Sequence, residues 1–257
     1  MYEYEGLQDV IFIALYCVAA FAALLACVYL LCRRGNAFMQ EKGPESVKTI
    51  ETPNGPLRLG SGVRSSLRLR RWTAALMAAI VGSHVWWYVL GQVWLTDDRL
   101  VRNIIAIALD HVTLVPLTMA VLLAMLQDRR RPLWPWLVAE VSAVVVTAVM
   151  GIAGRDEFWG YDVLGYCQLA LIAGFIVYYA LALRYYGRWL RDNYANLEHK
   201  EVWQSLVFAV GLFVVYEVYT SNGGELLREY LSQVVTLVNI AFLLWRVETL
   251  QELKDEA

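Results

Sequence analysis

Apolar positions in this chain come in long unbroken runs separated by short polar breaks, not in alternation. Seven runs approach the roughly 20 residues that a helix needs to cross about 30 Å of hydrocarbon. They are Val10–Cys32, Trp72–Leu95, Asn103–Leu126, Leu133–Ala153, Val163–Tyr186, Trp203–Thr220 and Tyr230–Val247. In lipid the backbone must satisfy its own hydrogen bonds, and no barrel-like alternation is present. The pattern therefore predicts an all-α integral membrane bundle of seven helices. Trp72, Trp94, Trp134, Trp136, Trp159, Trp189, Trp203 and Trp245 fall near run ends, where aromatic rings settle at the membrane–water boundary. The first run follows an acidic stretch, MYEYEGLQD. It is also longer than the apolar core of a signal peptide, so it reads as a retained helix.

Composition agrees. Of 257 residues, 59% are hydrophobic and 18% charged, more apolar than a soluble domain, which is commonly about 45–50%. The charges are segregated. Residues 33–71, 127–132, 184–202 and the C-terminal end hold 18 of the 22 Lys and Arg, whereas the other breaks keep Arg99, Arg102, Arg155 and Arg228 beside ten acids. Basic segments stay on the cytoplasmic side, so the N-terminus is expected outside and the C-terminus in the cytoplasm. The inner loop 33–71 contains PNG between two β-prone stretches, the pattern of a hairpin. Its Arg64, Arg68, Arg70 and Arg71 suit an anionic inner leaflet or an ordinary membrane-edge anchor. The inner segment 184–202 is expected to extend helices five and six as a short hairpin.

Ionisable groups at membrane depth are costly and usually face the bundle interior. Here they are His84, Asp110, His111, Glu140 and Glu217, joined by the neutral Gln168, Gln233, Thr236 and Asn239. Counting from run ends places Asp110, His111, Gln168, Gln233 and Glu217 in the outer part and His84 and Asn239 near the middle. Glu140 alone falls toward the inside. Ser232, Thr236 and Asn239 share one side of helix seven, with Arg246 further along that stripe. His84 shares a face with Trp87, Tyr88 and Gly91. Two readings stand: these groups bond one another and hold the helices together, or they line a pocket for a small ligand from the outer side. The pocket would comprise His84, Trp87, Tyr88, Asp110, His111, Gln168, Glu217, Gln233, Thr236 and Asn239. A metal or haem site on His84 and His111 lacks the close spacing of ligand pairs.

Other chemistries are excluded. Lys occurs at 42, 48, 200 and 254, never in a run, so a retinal Schiff base cannot form. There is no G-x-S-x-G, H-E-x-x-H or P-loop. His199, in NLEHKE, reads as a solvated histidine, and the four cysteines, with no metal spacing, as small apolar fillers. No cofactor is expected, and no enzyme. Helix seven carries no stop signal and runs into LLWRVETLQELKDEA. Val247, Leu250 and Leu253 sit at i, i+3, i+6, so residues 248–257 are expected to form a cytoplasmic signalling-helix stub after a sensory domain at 1–247.

The stretches WLRDNYANLEHKEVWQSL (189–206), FVVYEVYTSN (213–222) and LLWRVETLQEL (243–253) resemble the N-terminal membrane module of membrane-bound AraC-type helix-turn-helix regulators of the Bacteroides group. The likeness is sharpest from about 185 to 253 and general before that. It implies a multi-pass sensor in the cell inner membrane, probed from the outer side and acting through helix seven. It also implies a homodimer, because such outputs read paired half-sites. DNA binding would belong to a C-terminal domain these residues lack. The runners-up are the sensor of a membrane histidine kinase and a small transporter or channel.

Overall fold

The computed structural model describes residues 7–33, 47–52, 55–60, 65–92, 99–153, 160–194, 197, 200–220 and 225–253. The described residues form seven helices: α1 (Leu7–Cys32), α2 (Leu67–Gln92), α3 (Arg99–Met125), α4 (Trp134–Ala153), α5 (Gly160–Asn193), α6 (Trp203–Thr220) and α7 (Glu225–Thr249). Between α1 and α2 lies an antiparallel hairpin of β1 (Val47–Thr52) and β2 (Gly55–Gly60), with Thr52 opposite Gly55. This is the hairpin expected around PNG.

Five helices, α1, α2, α3, α5 and α7, are long and apolar enough to cross a membrane, the makeup of a multi-pass membrane protein. Over the described residues, α4 and α6 contribute the shorter apolar stretches Trp134–Val146 and Trp203–Val215. Each helix packs on the next in sequence, and α7 closes the ring against α1 and α2.

Side-chain size, not polarity, separates inside from outside. Along α1 the inward stripe is Ala19, Ala23, Ala26 and Leu30, whereas Phe21 is 61% and Leu31 64% exposed. Small residues at i, i+4 and i+7 let α1 approach α2 closely, and close backbone approach is what drives association where lipid removes any hydrophobic gain. Large aliphatics on the outer face meet a solvent as apolar as themselves.

Local signals set several ends. Ser66 Oγ accepts from Leu69 N–H at 3.2 Å, the N-cap of α2. Pro135 stands in the first turn of α4, where its missing N–H costs nothing. The core is densest at the end of the bundle that carries the hairpin. There Leu122–Leu126, Tyr179, Tyr186, Leu243 and Leu250 are all buried.

Three expectations are corrected. The 34 residues of α5 span about 51 Å, but α6 starts at Trp203 and residues 200–202 before it are not helical, so among the described residues α5 alone extends into the 184–202 segment. Helix seven ends at Thr249, and residues 250–253 are not helical. Leu250, whose N–H still bonds the Arg246 carbonyl as in a helical turn, is fully buried, and Leu253 packs on the core from beyond the helix. Arg70 is no membrane-edge anchor, for it is 2% exposed.

Candidate functional site

Two polar systems occupy the bundle. The first is a belt that crosses it from α7 to α5. His84 on α2 places Nδ1 2.8 Å from the Ile80 carbonyl and Nε2 3.1 Å from Gln233 Oε1 on α7. The first contact is with a carbonyl, so Nδ1 is the donor; in the neutral ring Nε2 is then left as an acceptor, facing an oxygen. A Gln233 amide with its NH2 turned to the ring would satisfy it. Tyr16 of α1 donates its hydroxyl to the His84 carbonyl and rests its ring 4.6 Å from the imidazole.

Two residues further along α2, the helix has turned toward α3. Trp86 Nε1 donates to Asp110 Oδ1 at 3.1 Å and Trp87 Nε1 to Oδ2 at 2.8 Å. Two consecutive indoles thus take one oxygen each of a single carboxylate. His111 follows Asp110 about 100° around α3 and faces α4, with Nδ1 3.8 Å from Glu140 Oε1. Gln168 of α5 donates from Nε2 to the same oxygen at 2.6 Å.

The helices therefore do bring their polar groups together, and Glu140 joins them. It lies beside His111 and Gln168, not alone toward one end. Its depth was misjudged because α4 starts deep. Trp136, in its first turn, packs on Phe175 and Tyr178 at 5.1 and 5.5 Å, and α5 continues for roughly 22 Å past Tyr178.

Not every expected residue joins the belt. Tyr88 is 62% exposed; the four-residue step that aligns it with His84 does not hold it at the interior, because the inward face of α2 at this level is used by His84, Trp86 and Trp87. Thr236 bonds the Ser232 carbonyl of its own helix at 2.8 Å, and Asn239 is half-buried. Arg246, further along that stripe, is buried. His84 and His111 face different helices, and no group of three His, Cys, Asp or Glu suited to a metal occurs among the described residues. The side chain of Glu217, and His199 entirely, lie outside the described residues.

The second system was not foreseen. At the hairpin end of the bundle it fastens the end of α7 to α2 and to the α3–α4 connection. Arg70 Nη1 meets Glu248 Oε1 at 3.2 Å with both side chains almost fully buried. The same nitrogen lies 3.2 Å from Ser65 Oγ, and Tyr29 of α1 presents its ring to the guanidinium at 5.9 Å. Gln127 grips the chain beyond the helix: Nε2 donates to the Gln251 carbonyl and Oε1 accepts from Leu253 N–H, both at 2.9 Å. Arg246 Nη2 donates to the Glu201 carbonyl at 2.7 Å. Periodicity could not reveal this clasp, because Arg70 sits in a basic cluster and Glu248 among charges that read as solvated.

Comparison of the chain with protein-family models, curated proteins and solved structures returns no match. The site stands on its own geometry.

One consequence is testable at Gly82. A Cβ there would come within 2.9 Å of Trp86 Cζ3, and that indole is held by Asp110. Gly82→Ala is expected to displace the ring and weaken the α2–α3 contact. The loss should be about 1–2 kcal/mol, in the range of overpacking, even though alanine favours a helix. Equilibrium unfolding in mixed micelles measures it. An unchanged or raised midpoint would show that Trp86 yields freely.

Proposed function

We propose that the chain is a membrane sensory module with seven spans, an external N-terminus and a cytoplasmic C-terminus, which passes a signal out through α7. The observation that carries this reading is the clasp on residues 246–253. The last helix does not simply fray; its end is held by a buried ion pair and a side-chain amide that grips backbone on both sides of Glu252. The same three segments, α2, α3 with its following turn, and α7, also carry His84, Asp110 and Gln233 of the belt. A shift of α2 against α7 at the belt would thus act on the clasp through rigid helices. A ligand that favours one packing would shift the population of clasped and released ends.

The signal enters from the outer side and the output is cytoplasmic, as in the membrane-bound AraC-type regulators the sequence resembles, where a homodimer and a DNA-binding domain complete the pathway. The positive-inside distribution supports the orientation.

The test attaches a dimer-dependent DNA-binding reporter domain after Ala257 and reads its promoter in cells. Reporter activity requires a cytoplasmic C-terminus. Arg70→Ala and Gln127→Ala are expected to change the output at least severalfold at equal membrane abundance, whereas Val28→Ala on the exposed face of α1 leaves it unchanged. Equal output from all four proteins would overturn transmission through α7.

A further inference from the structure

The belt ends in an unfinished contact. Glu140 and Gln168 are both fully buried, and joined through Glu140 Oε1 and Gln168 Nε2. The other atom of each group, Glu140 Oε2 and Gln168 Oε1, is buried without a hydrogen-bond partner. Both are acceptors while the carboxyl is ionised, and buried polar atoms are nearly always satisfied. One hydrogen resolves both. A proton on Oε2 makes it a donor, and a carboxylic acid facing a primary amide forms two complementary bonds, N–H to one oxygen and O–H to the amide oxygen.

We propose that Glu140, Gln168 and His111 form an intramembrane proton-binding site, in which Glu140 holds the proton against Gln168 and His111 stands beside it as the base. The surroundings fit this chemistry. On α4 no other residue of 134–153 is ionisable. From α5, Tyr166 and Cys167 neighbour Gln168 but are exposed away from the bundle. From α3, Asp110 is turned to the two indoles and His111 faces the carboxyl at 3.8 Å, too far for a hydrogen bond and close enough for an ion pair. The proton moves only when the carboxyl turns Oε2 from Gln168 toward His111, whose present 3.8 Å approach is to Oε1; the Glu140 O–H bond then breaks and an N–H bond forms on His111. The acid–amide pair becomes a carboxylate–imidazolium pair with no change in net charge. The α4–α5 contact weakens as the α3–α4 contact strengthens, so the site couples a proton to the packing of three helices. This inference does not rest on the sensory reading.

Infrared difference spectroscopy tests it on the full chain in phosphatidylcholine–phosphatidylglycerol vesicles, between about pH 5 and about pH 9. At about pH 7 a protonated-carboxyl C=O band is expected that shifts in D2O and vanishes in Glu140→Gln, which keeps an amide pair and should fold. Gln168→Leu should move that band to higher wavenumber, the mark of a lost hydrogen bond. If the leucine variant is not recovered, Gln168→Asn withdraws the same contact. His111→Phe should carry the band to higher pH, because the base that receives the proton is gone. Superimposed spectra of the wild type and Glu140→Gln at every pH would overturn the site. A band that ignores the change at Gln168 would overturn the acid–amide pairing.

Discussion

Glu248→Gln is expected to lower the unfolding free energy by about 3 kcal/mol, the largest single effect in the molecule. The reason is asymmetry. Glutamine keeps the shape and one acceptor but takes the Glu248 carboxylate from the buried Arg70 guanidinium, and breaking one side of a buried ion pair costs about 3–5 kcal/mol. The lower end applies because Ser65 and the Tyr29 ring remain beside the cation. The double variant Arg70→Met, Glu248→Leu removes both charges and is expected to recover most of the loss, since apolar replacement of a whole buried pair is often neutral. Equilibrium unfolding of the wild type, Arg70→Met, Glu248→Leu and the double variant in mixed micelles closes the cycle. A double variant as unstable as the worse single one would show that the pair's value lies in its shape. A Glu248→Gln change within about 0.5 kcal/mol of the wild type would show that water reaches the cation. Glu248→Gln should also free the chain beyond the helix, raising the labelling rate of a cysteine placed at Glu252. If unfolding shifts and labelling does not, Gln127 holds the end without help.

What could be read from the sequence follows from what a pattern records. Apolar runs register the lipid, so the helices were legible: α6 was placed at Trp203–Thr220 and α1, α4 and α7 ended or began within a few residues of expectation. Intramembrane polarity is also conspicuous, because so few residues depart from the apolar background; His84, Asp110, His111, Gln168 and Gln233 do converge. What a pattern does not record is the vertical offset between helices. Glu140 was assigned by distance from the end of its own run, and only the packing of Trp136 on Phe175 and Tyr178 reveals that α4 begins well inside the level where α5 ends. The same blindness hid the clasp. In a loop with nine basic residues, nothing distinguishes Arg70 from its neighbours except the residue it meets 178 positions later. Leu250 is buried at the last helical turn, its N–H on the Arg246 carbonyl, but Leu253 carries helical spacing and is reached by a chain that leaves the helix, with Gln127 bonding the Gln251 carbonyl and the Leu253 N–H.

Asp110 should separate the two readings of the belt. Its carboxylate is the common acceptor for Trp86 and Trp87, so Asp110→Leu leaves two indole N–H groups without a partner. Hydrogen bonds to a charged group contribute about 1.5–3 kcal/mol each in water-soluble proteins, but polar contacts in membrane proteins average nearer 0.6 kcal/mol. A total loss of about 2–3 kcal/mol is expected. Asp110→Asn retains one acceptor and turns an NH2 toward the second indole, so it should lose about half as much. Adding Trp87→Phe to Asp110→Asn should then cost less than adding it to the wild type, because the bond it removes is weakened or absent. This ordering, Leu below Asn below wild type, identifies Asp110 as a bolt between α2 and α3. If both variants unfold with the wild type while the reporter response to the outer signal is lost, the carboxylate serves a ligand and the indoles are its walls. Stability and response are therefore best read on the same three proteins, since each oxygen of Asp110 already takes an indole N–H and keeps a second acceptor site that a ligand could use.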